Sequence, residues 1–381
     1  MAQGALLLLA FSLPFSIAIT EGALITGLVA VLVSRARGRR FTAPATWLWP
    51  ASLALLFCWL LSSLLSAERA DALFHVRKLY ALGLILLAAE AARDPRVRSR
   101  VVPMILAGAL FSALVGFVIF VIRTPSQPNY RLQSVLSNQM TSGGVFCVAF
   151  LWALGAAAAH RGARRWGFAL AAVPLALALA LTQTRSHWLG AAAGSGAILL
   201  ALAPRWWWTL PVGIGAGLKL APHRLLARFA SIVDPHEPGN QGRLSMWRSA
   251  RDIVRAHPVF GVGCEDLLAL YRRYRYPDWT FESGHFHNNF VQIAVMTGGV
   301  GLIAFLAWLV AAARELARAL HAATSADRGL AASGIAVFVA MLLSGMFDYT
   351  FGDAEVIYHT YLALGLALAI QSSAGPDRAE G

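Results

Sequence analysis

Apolar residues in this chain gather into long unbroken runs separated by short polar segments, with little of the two-residue alternation that marks half-buried strands. Runs of this kind suit α-helices crossing about 30 Å of hydrocarbon, some of them short or tilted. They fall near residues 5–19, 21–34, 46–65, 73–91, 100–122, 139–159, 166–182, 186–203, 206–220, 287–312, 328–347 and 354–371. The pattern predicts an all-α polytopic membrane protein of about twelve transmembrane helices. Pro14 and the thin Thr20-Glu21 turn also allow the first two runs to form one kinked helix, a margin of one or two in the count.

Composition agrees with the pattern. With 58% hydrophobic and 13% charged residues and a mean hydropathy of +0.61, too few polar side chains exist to coat a soluble globule. Three cysteines, two of them inside apolar runs, support neither a disulfide framework nor a thiolate metal site. The stretch Ala5–Ile19 resembles a signal peptide, but Met1–Gly4 carries no Lys or Arg and hydrophobicity resumes at Gly22. It is read as a retained membrane helix.

Arginine in the short loops sets the expected orientation. Arg35, Arg37, Arg39 and Arg40 follow the second run, Arg93, Arg96, Arg98 and Arg100 surround the end of the fourth, and Arg161, Arg164 and Arg165 follow the sixth. Arg205 follows the eighth, and Arg314, Arg318 and Arg328 flank the loop between the tenth and eleventh. Loops of opposite parity hold little positive charge. Both termini are therefore expected in the cytoplasm, which an even number of spans also requires.

Residues 221–286 depart from this rhythm. They are expected on the external side, yet carry Arg224, Arg228, Arg243, Arg248, Arg251, Arg255, Arg272, Arg273 and Arg275. Long loops are exempt from the charge rule, but a surface this basic asks for an anionic partner. Leu244, Trp247, Ala250, Ile253 and Val254 have one-sided spacing that predicts a helix over 243–256, and a second amphipathic piece is expected over 266–276. Trp247, Phe260, Leu267, Tyr271, Tyr274 and Trp279 need burial, so the segment reads as a folded cap. The expected organisation is nine transmembrane helices over 1–220, a helical cap on the external side over 221–286, which the resemblance named below makes periplasmic, and three helices with a short cytoplasmic tail over 287–381.

The candidate chemistry clusters near the cap. Gly284-His285-Phe286-His287-Asn288-Asn289 stands at the mouth of an apolar run, where two imidazoles and two amides are costly as packing. His287, with the expected ability to take a proton from a sugar hydroxyl, is the candidate base, and His285 and Asn288 are its neighbours. Arg185, in Thr182-Gln183-Thr184-Arg185-Ser186-His187, opens a run on the same expected side, where its planar fork suits a phosphate; a helix-end arginine that merely snorkels is the plainer reading. Arg243 is expected at the start of the cap helix, where free N–H groups favour an anion; the plainer reading is a solvated face. Gly298 and Gly301 lie deeper, where small residues permit helix packing. His-x-His invites a metal, but Asp278 and Glu282 lack motif spacing, so no metal is expected.

The pattern His287-Asn288, then nine residues to Gly298 and two more to Gly301, preceded by Gly242-Arg243-x-x-x-Trp247 and Thr182-x-Thr184-Arg185-x-x-Trp188, resembles the bacterial O-antigen ligase family, WaaL, within a superfamily that includes O-antigen polymerases. The resemblance spans essentially the whole chain. It implies a GT-C-like glycosyltransferase of the inner membrane that moves polysaccharide from undecaprenyl diphosphate to a sugar of lipid A–core oligosaccharide at the periplasmic face, among membrane lipids. By the same resemblance Arg185 and Arg243 hold the diphosphate, His287 acts on the acceptor hydroxyl, and Arg131, Asn138, Gln139, His187 and Trp247 are site neighbours. No cofactor, metal or nucleoside triphosphate is implied, and no nucleic-acid partner. A polymerase or a protein oligosaccharyltransferase of the same superfamily is the near alternative; a transporter would place its ionisable residues near the bilayer midplane instead.

Overall fold

A computed structural model describes residues 1–38, 45–136, 138–264, 267–276 and 283–373. Asp278, Trp279 and Glu282, together with Arg39 and Arg40, lie outside the described residues. The chain is an all-α polytopic membrane protein, and eight of its described helical segments, one of them the composite run Arg69–Ala91, are long and apolar enough to cross a membrane.

The first three apolar runs become α1 (Ala2–Ser12), α2 (Ile17–Ala36) and α3 (Leu48–Leu65). The fourth is not one smooth helix: α4 (Arg69–Val76) and α5 (Gly83–Ala91) are joined by a 3₁₀ turn over Arg77–Leu82. The next four become α6 (Pro95–Arg123), α7 (Gln139–Ala159), α8 (Gly162–Thr182) and α9 (Arg185–Leu202). The ninth is short, with α10 (Thr209–Leu220) burying none of its residues. The cap follows, as α11 (His223–Ala230), α12 (Pro238–Ala256) and α13 (Leu267–Tyr274), and beyond it come α14 (Asn289–Ala322), α15 (Arg328–Ser344) and α16 (Ala354–Ser373). Helices α7 and α16 form the centre, with 78% and 83% of their apolar stretches buried, against 28% for α2 and α8. Small residues permit the tightest contacts: a methyl group at Gly194 of α9 would lie 2.8 Å from the Ala336 carbonyl of α15.

In the cap, helix α12 buries Met246, Ala250 and Ile253 along one stripe. Leu244, expected on that stripe, is exposed because Met246 is the residue in helical register with Ala250 and Ile253. Phe260, expected to be buried, is exposed as well. The helix begins five residues earlier than the hydrophobic spacing indicates, because Pro238 is its first residue, where a missing N–H costs nothing. Arg243 is consequently in the second turn, and the expectation that it opens the helix is corrected.

Gly298 and Gly301 are also placed differently from the helix-packing expectation. At Gly298 the backbone takes φ 64° and ψ −164°, breaking α14 into two pieces. The opened groups bind the cap's descending loop: Gly299 and Val300 N–H donate to the Pro258 and Val259 carbonyls at 2.9 and 3.2 Å, while Val262 and Gly263 N–H donate to the Val295 and Met296 carbonyls at 3.0 and 2.8 Å. A Cβ at Gly298 would lie 2.3 Å from the Val259 carbonyl oxygen, so both the conformation and the close approach call for glycine. Gly301 faces its own turn, where a Cβ would strike the Thr297 side chain. The break ties the cap to the bundle through main-chain bonds.

Candidate active site

The residues that seat His287 are its immediate neighbours in sequence. Asn288 caps α14, its side-chain oxygen accepting from the Phe290 and Val291 N–H groups at 2.9 and 3.0 Å. Its amide nitrogen donates to the Met346 carbonyl at 2.8 Å. Asn289 continues the stitching. Its backbone N–H meets the Gly345 carbonyl at 2.7 Å, its Nδ2 donates to Thr350 Oγ1 at 3.0 Å, and its Oδ1 accepts from Phe351 N–H at 3.0 Å. The two asparagines thus clamp the start of α14 to the 345–353 loop. From the cap side, Trp247 Nε1 donates to the Phe286 carbonyl at 2.9 Å, and Gln292 accepts the Phe286 N–H at 2.9 Å.

Between these clamps His287 adopts φ 47°, a left-handed conformation uncommon outside glycine, though histidine tolerates it better than most residues. Its Nδ1 lies 3.3 Å from Asp348 Oδ1. The His285 ring lies against that of His287, tilted by 54° at a centroid distance of 4.1 Å, with its Nε2 3.8 Å from the same oxygen. Ser283 Oγ lies 3.4 Å from His287 Nε2. Burial lowers the His287 pKa, opposed by the hydrogen bond to Asp348 and reinforced by the charges of His285 and Arg243. Burial alone would raise Asp348, but its bonds to the two histidines hold the carboxyl below its usual range. Asp348 therefore remains ionised beside a largely neutral His287 at neutral pH.

His285, His287 and Asp348 line a cavity of about 990 Å³, which also touches Gln139, Thr141 and Asp353. Asp353 Oδ2 accepts from Thr141 Oγ1 at 2.7 Å; burial, aided by nearby Glu355, pushes its pKa up to about 8. Asn138 is the cap of α7, accepting from Met140 and Thr141 N–H. His187 is buried on α9, and neither ring nitrogen has a hydrogen-bond partner among the described residues; it does not line the cavity.

Four arginines gather beside this centre. Arg243 is tied to it directly, donating from Nε to the Phe347 carbonyl at 2.9 Å, one residue from Asp348, and from Nη1 to Gly239 O at 3.1 Å. Arg185 is further along the seam between α9 and the cap. Its Nη2 donates to Glu237 Oε2 at 2.8 Å and to Asn240 Oδ1 at 3.0 Å, and its Nη1 donates to Ser231 Oγ at 2.9 Å. Arg228 reaches the other Glu237 oxygen at 2.9 Å. Arg131 donates to the Thr182 and Gln183 carbonyls at 2.8 and 3.0 Å. Burial and the charges of Arg228, Arg185 and Arg243 lower the Arg131 pKa to about 10. The guanidinium stays charged, at a cost that a further anion would relieve.

The structure thus brings His285, His287, Asn288, Arg243 and Trp247 together, with Gln139 across the cavity, and sets Arg185 and Arg131 in an adjoining arginine cluster. Sequence reasoning assigned no role to Asp348, Arg228 or Glu237. Asp348 was visible only as part of an acidic loop 61 positions after His287. Glu237 had a local signal, an acidic residue before Pro-Gly that starts a helix.

Residues 170–306 match the family model described as O-antigen ligase. The matched segment runs from α8 to the kinked α14 and contains Arg185, Arg243 and His287. The match bears out the resemblance to the O-antigen ligase superfamily. No curated protein matches the chain by sequence. One similar solved chain, from "Structural coordination of polymerization and crosslinking by a peptidoglycan synthase complex", is 20% identical, with 87% of this chain and 98% of that chain aligned at a TM-score of 0.49. At that level the likeness carries no argument.

Proposed function

We propose that this membrane enzyme of the O-antigen ligase superfamily is a ligase, transferring polysaccharide from undecaprenyl diphosphate to a sugar of lipid A–core oligosaccharide at the periplasmic face of the inner membrane. The observation that carries the reading is the His287–Asp348 pair on the wall of a large cavity, next to a cluster of arginines.

With Nδ1–H donated to Asp348, His287 presents its Nε2 lone pair as the base. The acceptor hydroxyl gives up its proton to Nε2 as its oxygen attacks the anomeric carbon of the donor sugar. The bond from that carbon to the diphosphate oxygen breaks, and the leaving diphosphate carries away the electron pair. Asp348 fixes the ring's orientation and stabilises the imidazolium that forms. Arg243, anchored one residue from Asp348, and the neighbouring Arg185 neutralise the leaving charge. The Thr141–Asp353 side of the cavity offers hydroxyl and carboxyl groups to acceptor sugars. On this reading the basic seam and the cavity face the periplasm, with both termini in the cytoplasm, and the cap over 221–286 covers the donor.

A second reading follows from one specific feature: His285, His287 and Asp348 bring donor atoms within 4.8 Å of one another, close enough to hold a metal ion. Transfer that is lost in chelator and restored by zinc or magnesium would favour that reading. We expect transfer to proceed in chelator, because His287 acts as a base only while its lone pair is free.

Deleting the gene and resolving lipopolysaccharide by gel tests the reaction assignment. Loss of a ligase leaves long polymer on its lipid carrier and core without polymer. A core capped by at most one repeat would identify a polymerase instead.

A further inference from the structure

Glu237 holds a position suited to an anion from outside the chain. Its two carboxylate oxygens take the Arg185 and Arg228 guanidinium groups at 2.8 and 2.9 Å, and Oε2 also accepts the Asn240 backbone N–H at 3.0 Å in the first turn of α12. Two cations and a helix N-terminus converge on one carboxylate, so its single charge leaves an excess of positive charge. Arg131 adds to that excess, feeling the charges of Arg228 and Arg185; Arg243 feels them too, although Asp348 is its strongest charged neighbour. Burial would raise the Glu237 pKa, yet the Arg185, Asn240 and Arg228 contacts hold it below the ordinary carboxylate value.

The backbone approaches the carboxylate closely at this point. A Cβ built on Gly239 would lie 2.9 Å from Glu237 Oε2 and 3.4 Å from Arg185 Nη2, so the absence of a side chain lets an oxyanion approach the helix end. Glu237 precedes the first residue of α12 and follows the 231–236 turn. If the side chain rotates outward it gives up its cap bond to the Asn240 N–H, which an incoming oxyanion can replace. A phosphate offers the same O–X–O edge to the two arginines, with further oxygens for the Asn240 N–H.

We propose that the Glu237 carboxylate occupies the seat of one phosphate of a diphosphate ligand, built by Arg185, Arg228 and the Asn240 N–H, and that ligand binding displaces it. That the diphosphate comes from a lipid carrier rests on the function proposed above; the seat's chemistry does not. Glu237 is then an internal competitor that holds the cap against α9 until the donor arrives.

The test uses the full-length protein in nanodiscs, with inorganic pyrophosphate and undecaprenyl diphosphate as separate probes. Glu237→Gln keeps a carbonyl for the Asn240 N–H but removes the competing charge. It should tighten diphosphate binding by roughly tenfold or more, and adding Arg185→Gln should abolish the gain. Tightening for both probes supports a seat for the diphosphate itself, and tightening for the lipid probe alone supports a seat that reads carrier and phosphate together. Unchanged or weaker binding of both would make Glu237 a fixed strut and overturn the proposal. Should the Gln variant fail to accumulate, Glu237→Asp keeps the charge and the cap while drawing the carboxylate back from Arg185; it should tighten binding by a smaller factor, and no tightening would again overturn it. Tighter binding without transfer to core would sink the ligase reading alone, whereas transfer with binding indifferent to Glu237 would sink the stand-in alone.

Discussion

Two buried arginines at opposite ends of the bundle make ion pairs of the same length. At the end away from the cap, Arg98 binds Asp327 through both Nε and Nη2 at 2.8 Å, and its Nη1 donates to Ala92 O and Ser373 Oγ at 3.0 and 3.1 Å. At the cap end, Arg185 binds Glu237 at 2.8 Å. Both arginines are buried, at 4% and 9% exposure. The difference lies in the surroundings. Among the described residues Arg98 has one carboxylate to itself, and neutral acceptors complete its bonding. Arg185 shares its carboxylate with Arg228, and Arg131 and Arg243 are close enough to feel the same charge. A buried ion pair by itself is weak evidence of purpose; the charge left over around it separates a strut from a candidate binding site.

Substitutions at the two ends should therefore part company. The largest effect is expected at His287: alanine there should lower transfer by about 10²–10⁴-fold while the protein still inserts, since the ring lines a cavity rather than the helix packing. Quantified membrane accumulation alongside a reconstituted transfer assay checks it. Arg185→Lys and Arg243→Lys keep charge but lose the planar fork. Each should cost on the order of 10- to 100-fold in transfer, the equivalent of a lost charged hydrogen bond; near-normal rates in both would reduce the cluster to a general attractor.

Asp348→Asn should cost less than loss of the histidine and should also move the pH profile. Neutral His287 is the active form, so transfer should fall as pH drops through a pKa depressed below the usual histidine value of about 6.5. Asp348 opposes that depression, so the Asn variant should shift the acidic limb of kcat/KM to still lower pH. A limb that stays in place would remove Asp348 from the pair. Least affected in turnover should be Asp327→Ala. It strands the buried Arg98 and should destabilise the protein by roughly 3–5 kcal/mol, seen as a lower Tm, while the folded fraction transfers normally.

Much of the bundle was legible because length and hydrophobicity determine a membrane helix locally. The kink in α14 was not, because a run from Phe290 to Val310 looks continuous until Pro258–Gly263 docks against Gly298 from far away in sequence. The start of α12 was missed because Pro238, Gly239 and Gly242 read as loop, although proline at a helix's first position is favourable. Within the candidate site, the histidines and asparagines stood out because polar residues at the mouth of an apolar run need a reason. Asp348 and Glu237 did not stand out. Their significance depends on partners 61 and 52 positions away, and only the folded chain brings those together.

Transfer in a defined system bears most directly on the central claim. Wild-type protein and the His287→Ala variant would be reconstituted with purified undecaprenyl-diphosphate-linked polysaccharide and lipid A–core, in excess chelator and without nucleotide. The account predicts polymer-bearing lipid A–core from the wild type and almost none from the variant. Substantial transfer by His287→Ala, or none by the wild type until metal is restored, would contradict it.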